Sequence, residues 1–171
     1  MKMRFEFPAD TPRAAPQRGA APVGMPHELP PVELAAVVYL RAWCEGGAAR
    51  QMIGRDFSLV MGEAAGATAA RNFDALMTVL LNNARRPVMR HGLGCKCFGG
   101  DESAFANMIA AAAAQDHEDA HLFACTLMTG HAAWPAVQLA LGLGPAFLRL
   151  ARLPDNTRVP THGPEPTFTK H

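Results

Sequence analysis

Between residues 32 and 152 the apolar positions recur at helical spacing, and the pattern predicts one helix after another. PPVELAAVVYLRAWCEGG opens on prolines suited to a first helical turn and closes on Gly46 and Gly47, with Leu34, Val37, Val38 and Leu40 on its apolar side. In AARQMIGRDFSLVMG the residues Met52, Ile53, Phe57, Val60 and Met61 share a face, and Gly62 ends the run. A third helix is predicted over 67–84, with Phe73, Leu76, Met77 and Leu80 in line and Pro87 barring its continuation. The stretch 86–100 contains Gly92, Gly94, Gly99 and Gly100 and reads as a loop. Asp101 is placed to cap a fourth helix whose face is Phe105, Met108, Ile109 and Ala112. A fifth runs from near Asp116 to Gly130, Pro135 suits the first turn of a sixth, and Gly144 with Pro145 separates a last one carrying Phe147, Leu148 and Leu150. The expectation is an all-α, single-domain, compact bundle of about six or seven short helices. No segment repeats at a fixed period, which argues against a solenoid.

Prolines mark the ends. Seven of the 14 fall within the first 31 residues and four lie after Leu153, so 1–30 and 153–171 are expected to be flexible tails around a helical domain at 31–152. At the start, Met1, Met3, Phe5 and Phe7 alternate with Lys2, Arg4 and Glu6. That strand-like period makes residues 1–7 a candidate partner-binding peptide, able to add to another sheet's edge.

Composition narrows the class. With 49% apolar residues the chain can bury a core, and a formal net charge of +1 argues against a nucleic-acid binder. The opening MKMRFEFPAD has no apolar core of a secretion signal, and four cysteines, two of them one residue apart, do not form a disulfide framework. A cytoplasmic protein is the expectation. The uncharged run 132–148 is near the lower length limit for a membrane span, but Pro135, Gln138, Gly142, Gly144 and Pro145 interrupt it, so core helices are expected there instead. The nine methionines fall mostly on apolar helix faces and read as core.

Candidate chemistry concentrates in two stretches. RHGLGCKCFGG, residues 90–100, contains His91, Cys95 and Cys97 in a glycine-rich segment that can bend round an ion. Zinc knuckles space their cysteines by two to four residues, so a gap of one is a departure. Arg85, Arg86, Arg90 and Lys96 surround the pair, and positive charge favours thiolates. Asn82 and Asn83 with Arg85, Arg86 and Arg90 also form a candidate anion patch, or simply complement a helix C-terminus.

QDHEDAHLFAC, residues 115–125, holds His117-Glu118-Asp119-Ala120-His121. These five residues, and only these, resemble the H-E-x-x-H string of zinc peptidases, which implies two histidine ligands one helical turn apart and Glu118 as catalytic base. The chain departs from that pattern in several ways. Asp119 is charged where those enzymes mostly have an apolar residue, Ala124 and Leu127 stand where the extended form needs glycine and histidine, and the next acid downstream is Asp155. Helical geometry offers a different use. Ala120, Ala124 and Leu127 centre the apolar face, while His117 and His121 border it, one turn before Cys125. Cys95, Cys97, His117 and His121 would then close a four-ligand zinc site that pins the loop to the fifth helix, with His91 and Cys125 as substitutes. A Cys97–His117 nucleophile pair is also conceivable, but no spacing requires it.

Two functions follow from these residues. One is a non-enzymatic interaction or regulatory module, with a structural zinc or thiol-sensing site and a protein partner bound by residues 1–7 or by the helical surface. The other is a small zinc-dependent hydrolase using His117, Glu118 and His121.

Overall fold

The computed structural model describes residues 18–153, and the alternating stretch 1–7 lies outside them. Six helices make up the domain: α1 (Pro31–Glu45), α2 (Gly47–Met61), α3 (Glu63–Asn82), α4 (Gly100–Ala113), α5 (His117–Leu127) and α6 (Gly130–Leu150). The all-α expectation is met.

The helix ends follow the local chemistry. Gly46 and Gly62 stop α1 and α2 at φ of 77° and 82°, backbone conformations that cost little only for glycine. Asp116 caps α5 by accepting the Asp119 N–H at 3.0 Å. The core draws one aromatic ring from each of five helices: Tyr39 on α1, Phe57 on α2, Phe73 on α3, Phe105 on α4 and Phe147 on α6. Neighbouring rings lie 5.6–6.5 Å apart, mostly edge to face. α6 runs through the bundle and packs against all five other helices.

Three expectations need correction. Gly144 and Pro145 do not separate two helices, because α6 continues through both. Pro135 and Pro145 face solvent, so each costs a hydrogen bond without entering the packing, while Ala140, Leu143, Ala146 and Phe147 bury the opposite face. Gly144 serves a close approach: a Cβ there would lie 2.9 Å from Cα of Ala113 on α4. α3 begins at Glu63, before the predicted start, because Gly62 ends α2 and leaves no further linker. Finally, residues 18–29, expected in a tail, carry two short 3-10 turns and β1 (Pro22–Gly24), which pairs antiparallel with β2 (Phe98–Gly99). Alternation could not signal so short a ladder, since neither strand exceeds three residues. Among the described residues, no helix is long and apolar enough to cross a membrane.

Candidate metal centre

The segment between α3 and α4 has little regular structure and is held from several sides. At its start Ala84 bridges to Met128, and the Arg85 N–H donates to the Leu127 carbonyl at 3.1 Å. The Arg86 guanidinium then forks onto the buried Asp101 carboxylate, at 2.7 and 2.6 Å, and the Met89 N–H donates to Asp101 at 2.8 Å. Asp101 is therefore not the cap of α4. The helix starts one residue earlier, at Gly100, which puts Asp101 and Glu102 in its first turn, where negative charge suits the helix dipole.

Glu102 is the hub of the site. Its side chain is fully buried and accepts from Arg41 Nε at 2.7 Å and Nη2 at 3.1 Å, from the backbone N–H of His91 at 3.1 Å and of Gly99 at 2.8 Å, and from His91 Nδ1 at 2.7 Å. Burial alone would push this carboxyl up. The hydrogen bonds from Arg41, His91 and Gly99 outweigh it and hold the group below the usual glutamate range. Arg41, buried on α1, also donates to the carbonyl oxygens of Cys95 at 3.0 Å and Cys97 at 2.7 Å. A single buried guanidinium thus fixes both cysteines' backbone and the carboxylate behind His91.

This framework gathers three donor atoms. The chain turns tightly after Gly92, with the Cys95 N–H on the Gly92 carbonyl at 3.0 Å, and bends again at Lys96. That bend brings the Cys95 and Cys97 sulfurs to 3.2 Å, although alternate residues of an extended chain would need adjustment to converge. A ring nitrogen of His91 and the two Sγ atoms all lie within 4.8 Å of one another, close enough to share one metal ion. Glu102 takes Nδ1 and leaves Nε2 without that partner, the same carboxylate–histidine pairing that orients imidazole ligands in metal sites. Gly99 makes room for this packing: a Cβ there would lie 3.2 Å from His91 Cε1 and 2.6 Å from the Gly19 carbonyl oxygen.

The two thiols are unequal. Hydrogen bonds from the Cys97 backbone N–H and side chain draw the Cys95 thiol below its ordinary value, and the same sulfur–sulfur contact pushes Cys97 up.

The α5 histidines are placed elsewhere. α4 and α5 form an antiparallel hairpin, with Phe123 and Thr126 beside Ser103, Ala104 and Asn107, so His117 sits at the end of α4 remote from the loop. The 14 residues of α4 span about 20 Å. His117, Glu118 and Asp119 are exposed there. His121 lies 3.5 Å from the Cys125 sulfur and packs edge-on against Trp134. Among the described residues, the one group of three or more close donors is His91, Cys95 and Cys97, and it includes none of His117, Glu118, His121 or Cys125. His91, expected only as a substitute ligand, is the histidine that lies beside the two cysteines.

Of the candidate anion patch, Arg86 is committed to Asp101, and Arg90 reaches the Cys44 carbonyl at 3.4 Å. The residues that sequence reasoning missed are Arg41 and Glu102. Two signals pointed to them: a lone charge within the apolar run AAVVYLRAW, and the Gly99-x-x-Glu102 spacing of a helix start whose third residue reaches back to the cap. Compared with protein-family models, with curated proteins and with solved structures, the chain finds no match.

Proposed function

We propose that this protein is a small helical interaction or regulatory module built around a zinc site in the loop before α4, with His91, Cys95 and Cys97 as ligands. The observation that carries the reading is the hydrogen bond from His91 Nδ1 to the buried Glu102, beside two sulfurs 3.2 Å apart. Two thiolates neutralise a divalent ion, and the Arg41–Glu102 pair behind them is neutral as a unit, so the loaded site adds no net charge to the bundle's edge. Three ligands leave a fourth tetrahedral position for water or for a donor brought by a partner. That openness suits a regulatory contact better than a closed structural site. The imidazole–thiolate donor set favours zinc over the hard cations magnesium and calcium.

The test is elemental analysis of the reduced chain, purified without a metal-affinity tag. About one zinc per chain is expected, and a Cys95→Ser/Cys97→Ser double variant should lose it while His117→Ala retains it. Zinc that survives the cysteine substitutions and disappears with His117 would overturn the assignment.

A further inference from the structure

We infer that the zinc site is redox-gated: Cys95 and Cys97 close into a disulfide with each other under a hydroperoxide and discharge the ion. The inference rests on the zinc reading above and adds how the site is emptied. Its geometric basis is the bend at Lys96, which already holds the two sulfurs at 3.2 Å. A disulfide bond of about 2.05 Å needs them to close by only about 1.2 Å. The loop is free to make that adjustment on its outer side, since Gly94 and Lys96 are exposed, while Arg41 keeps hold of both cysteine carbonyls. The two remaining cysteines do not compete: Cys125 contacts His121 on α5, and Cys44 lies on α1, where burial pushes its thiol up.

The chemistry balances in two steps. The Cys95 thiolate attacks one oxygen of the hydroperoxide, the O–O bond breaks, and the leaving oxyanion takes a proton to become water or an alcohol. Cys95 then carries a sulfenic acid. The Cys97 sulfur attacks it, the S–S bond forms, the S–O bond breaks, and hydroxide leaves with a proton as water. Two electrons pass from the sulfurs to the peroxide, and zinc keeps its oxidation state throughout. With both thiolates consumed, one imidazole remains, too few donors to retain the ion.

The experiment treats zinc-loaded full chain with stoichiometric hydrogen peroxide, reading released zinc with a chromogenic chelator and the linkage by mass spectrometry of the peptide spanning both cysteines. The expected result is release of about one zinc per chain together with a loss of about 2 Da in that peptide, both reversed by a dithiol reductant and fresh zinc. Cys97→Ser should instead stop at a sulfenic acid on Cys95 that dimedone traps, with circular dichroism confirming that the helices remain. If zinc is bound but the thiols pair with Cys44, Cys125 or another chain, or stay reduced while the ion is held, the gating fails and the zinc reading stands. If the reduced chain binds no zinc, the zinc reading fails and takes the gate with it, whether or not the disulfide forms.

Discussion

Glu102 is fully buried yet holds its charge, and five donors from three stretches of the chain explain why. Replacing it with glutamine keeps the shape but strands the Arg41 guanidinium without a counter-charge and turns one acceptor atom into a donor facing other donors. Glu102→Gln should cost about 3–5 kcal/mol, the usual penalty for breaking a buried pair, read from the denaturant midpoint. It should also weaken zinc binding about 10- to 100-fold, as loss of a ligand's orienting partner does. An unchanged midpoint would mean that the network is ornamental. A second residue-scale prediction concerns Asp56, which accepts from the Tyr39 hydroxyl at 2.7 Å. Burial raises its carboxyl above the ordinary value despite that hydrogen bond. The folded state therefore binds more protons than the unfolded chain across the window above the normal aspartate range, so this group's contribution falls as pH rises through it. Asp56→Asn should leave the melting temperature nearly unchanged at about pH 3.5 and raise it near neutrality. At this scale the sequence reveals the candidate donor atoms better than their supports. Cysteine and histidine announce their chemistry by type, whereas Arg41 and Glu102 acquire theirs only from being buried together, 61 residues apart.

At the scale of elements, burial on α5 falls on Ala120, Ala124 and Leu127, the face that helical periodicity selects. Periodicity worked because a helix surrounded by packing on one side must repeat at its own pitch. It failed for α6, where local residue preference and tertiary packing pull in opposite directions. Prolines at solvent-facing positions lose a hydrogen bond each, but a long buried face outweighs that loss. Glycines within helices divide by the same logic. Gly66 of α3 meets the backbone of α2, where a Cβ would lie 2.5 Å from the Ser58 nitrogen and 2.7 Å from the Phe57 carbonyl carbon. Gly142 of α6 is exposed, and its Cβ would meet only the Asn72 side chain, at 3.6 Å. Gly142→Ala should stabilise by about 0.5–1 kcal/mol through helix propensity. Gly66→Ala gains the same propensity but must push α2 and α3 apart, so a net loss of about 1–3 kcal/mol is expected. Thermal melts of the two variants, run side by side, should move in opposite directions. A shared upward shift would show that α2 and α3 do not approach so closely.

The site exists only at the scale of the whole molecule. His91, Cys95 and Cys97 lie within seven residues of sequence, but Arg41 of α1, Asp101 and Glu102 of α4 and the strand β1 hold them. Hydrophobic patterning located the helices, and residue type located the sulfurs. Neither carries information about which distant backbone closes over a loop, so the proline-rich N-terminal segment reads as a tail in sequence alone. Gly19 shows how tightly it is bound in: a Cβ at that position would collide with the Asp101 carboxylate, which Arg86 and the Met89 N–H hold in place. The carboxylate cannot swing away without giving up those bonds, so Gly19→Ala must either lift the N-terminal segment from β2 or shift Asp101 and the loop it anchors. Both routes disturb the backbone that presents His91 and the cysteines, although Gly19 lies more than 70 residues before them. Gly19→Ala should therefore weaken zinc binding by competition against a chelator, with the helical signal retained because the aromatic core is untouched. Equal affinity in parent and variant would show that the segment merely covers the loop. A fall would make the segment that carries Gly19 and β1 a working element of the metal centre.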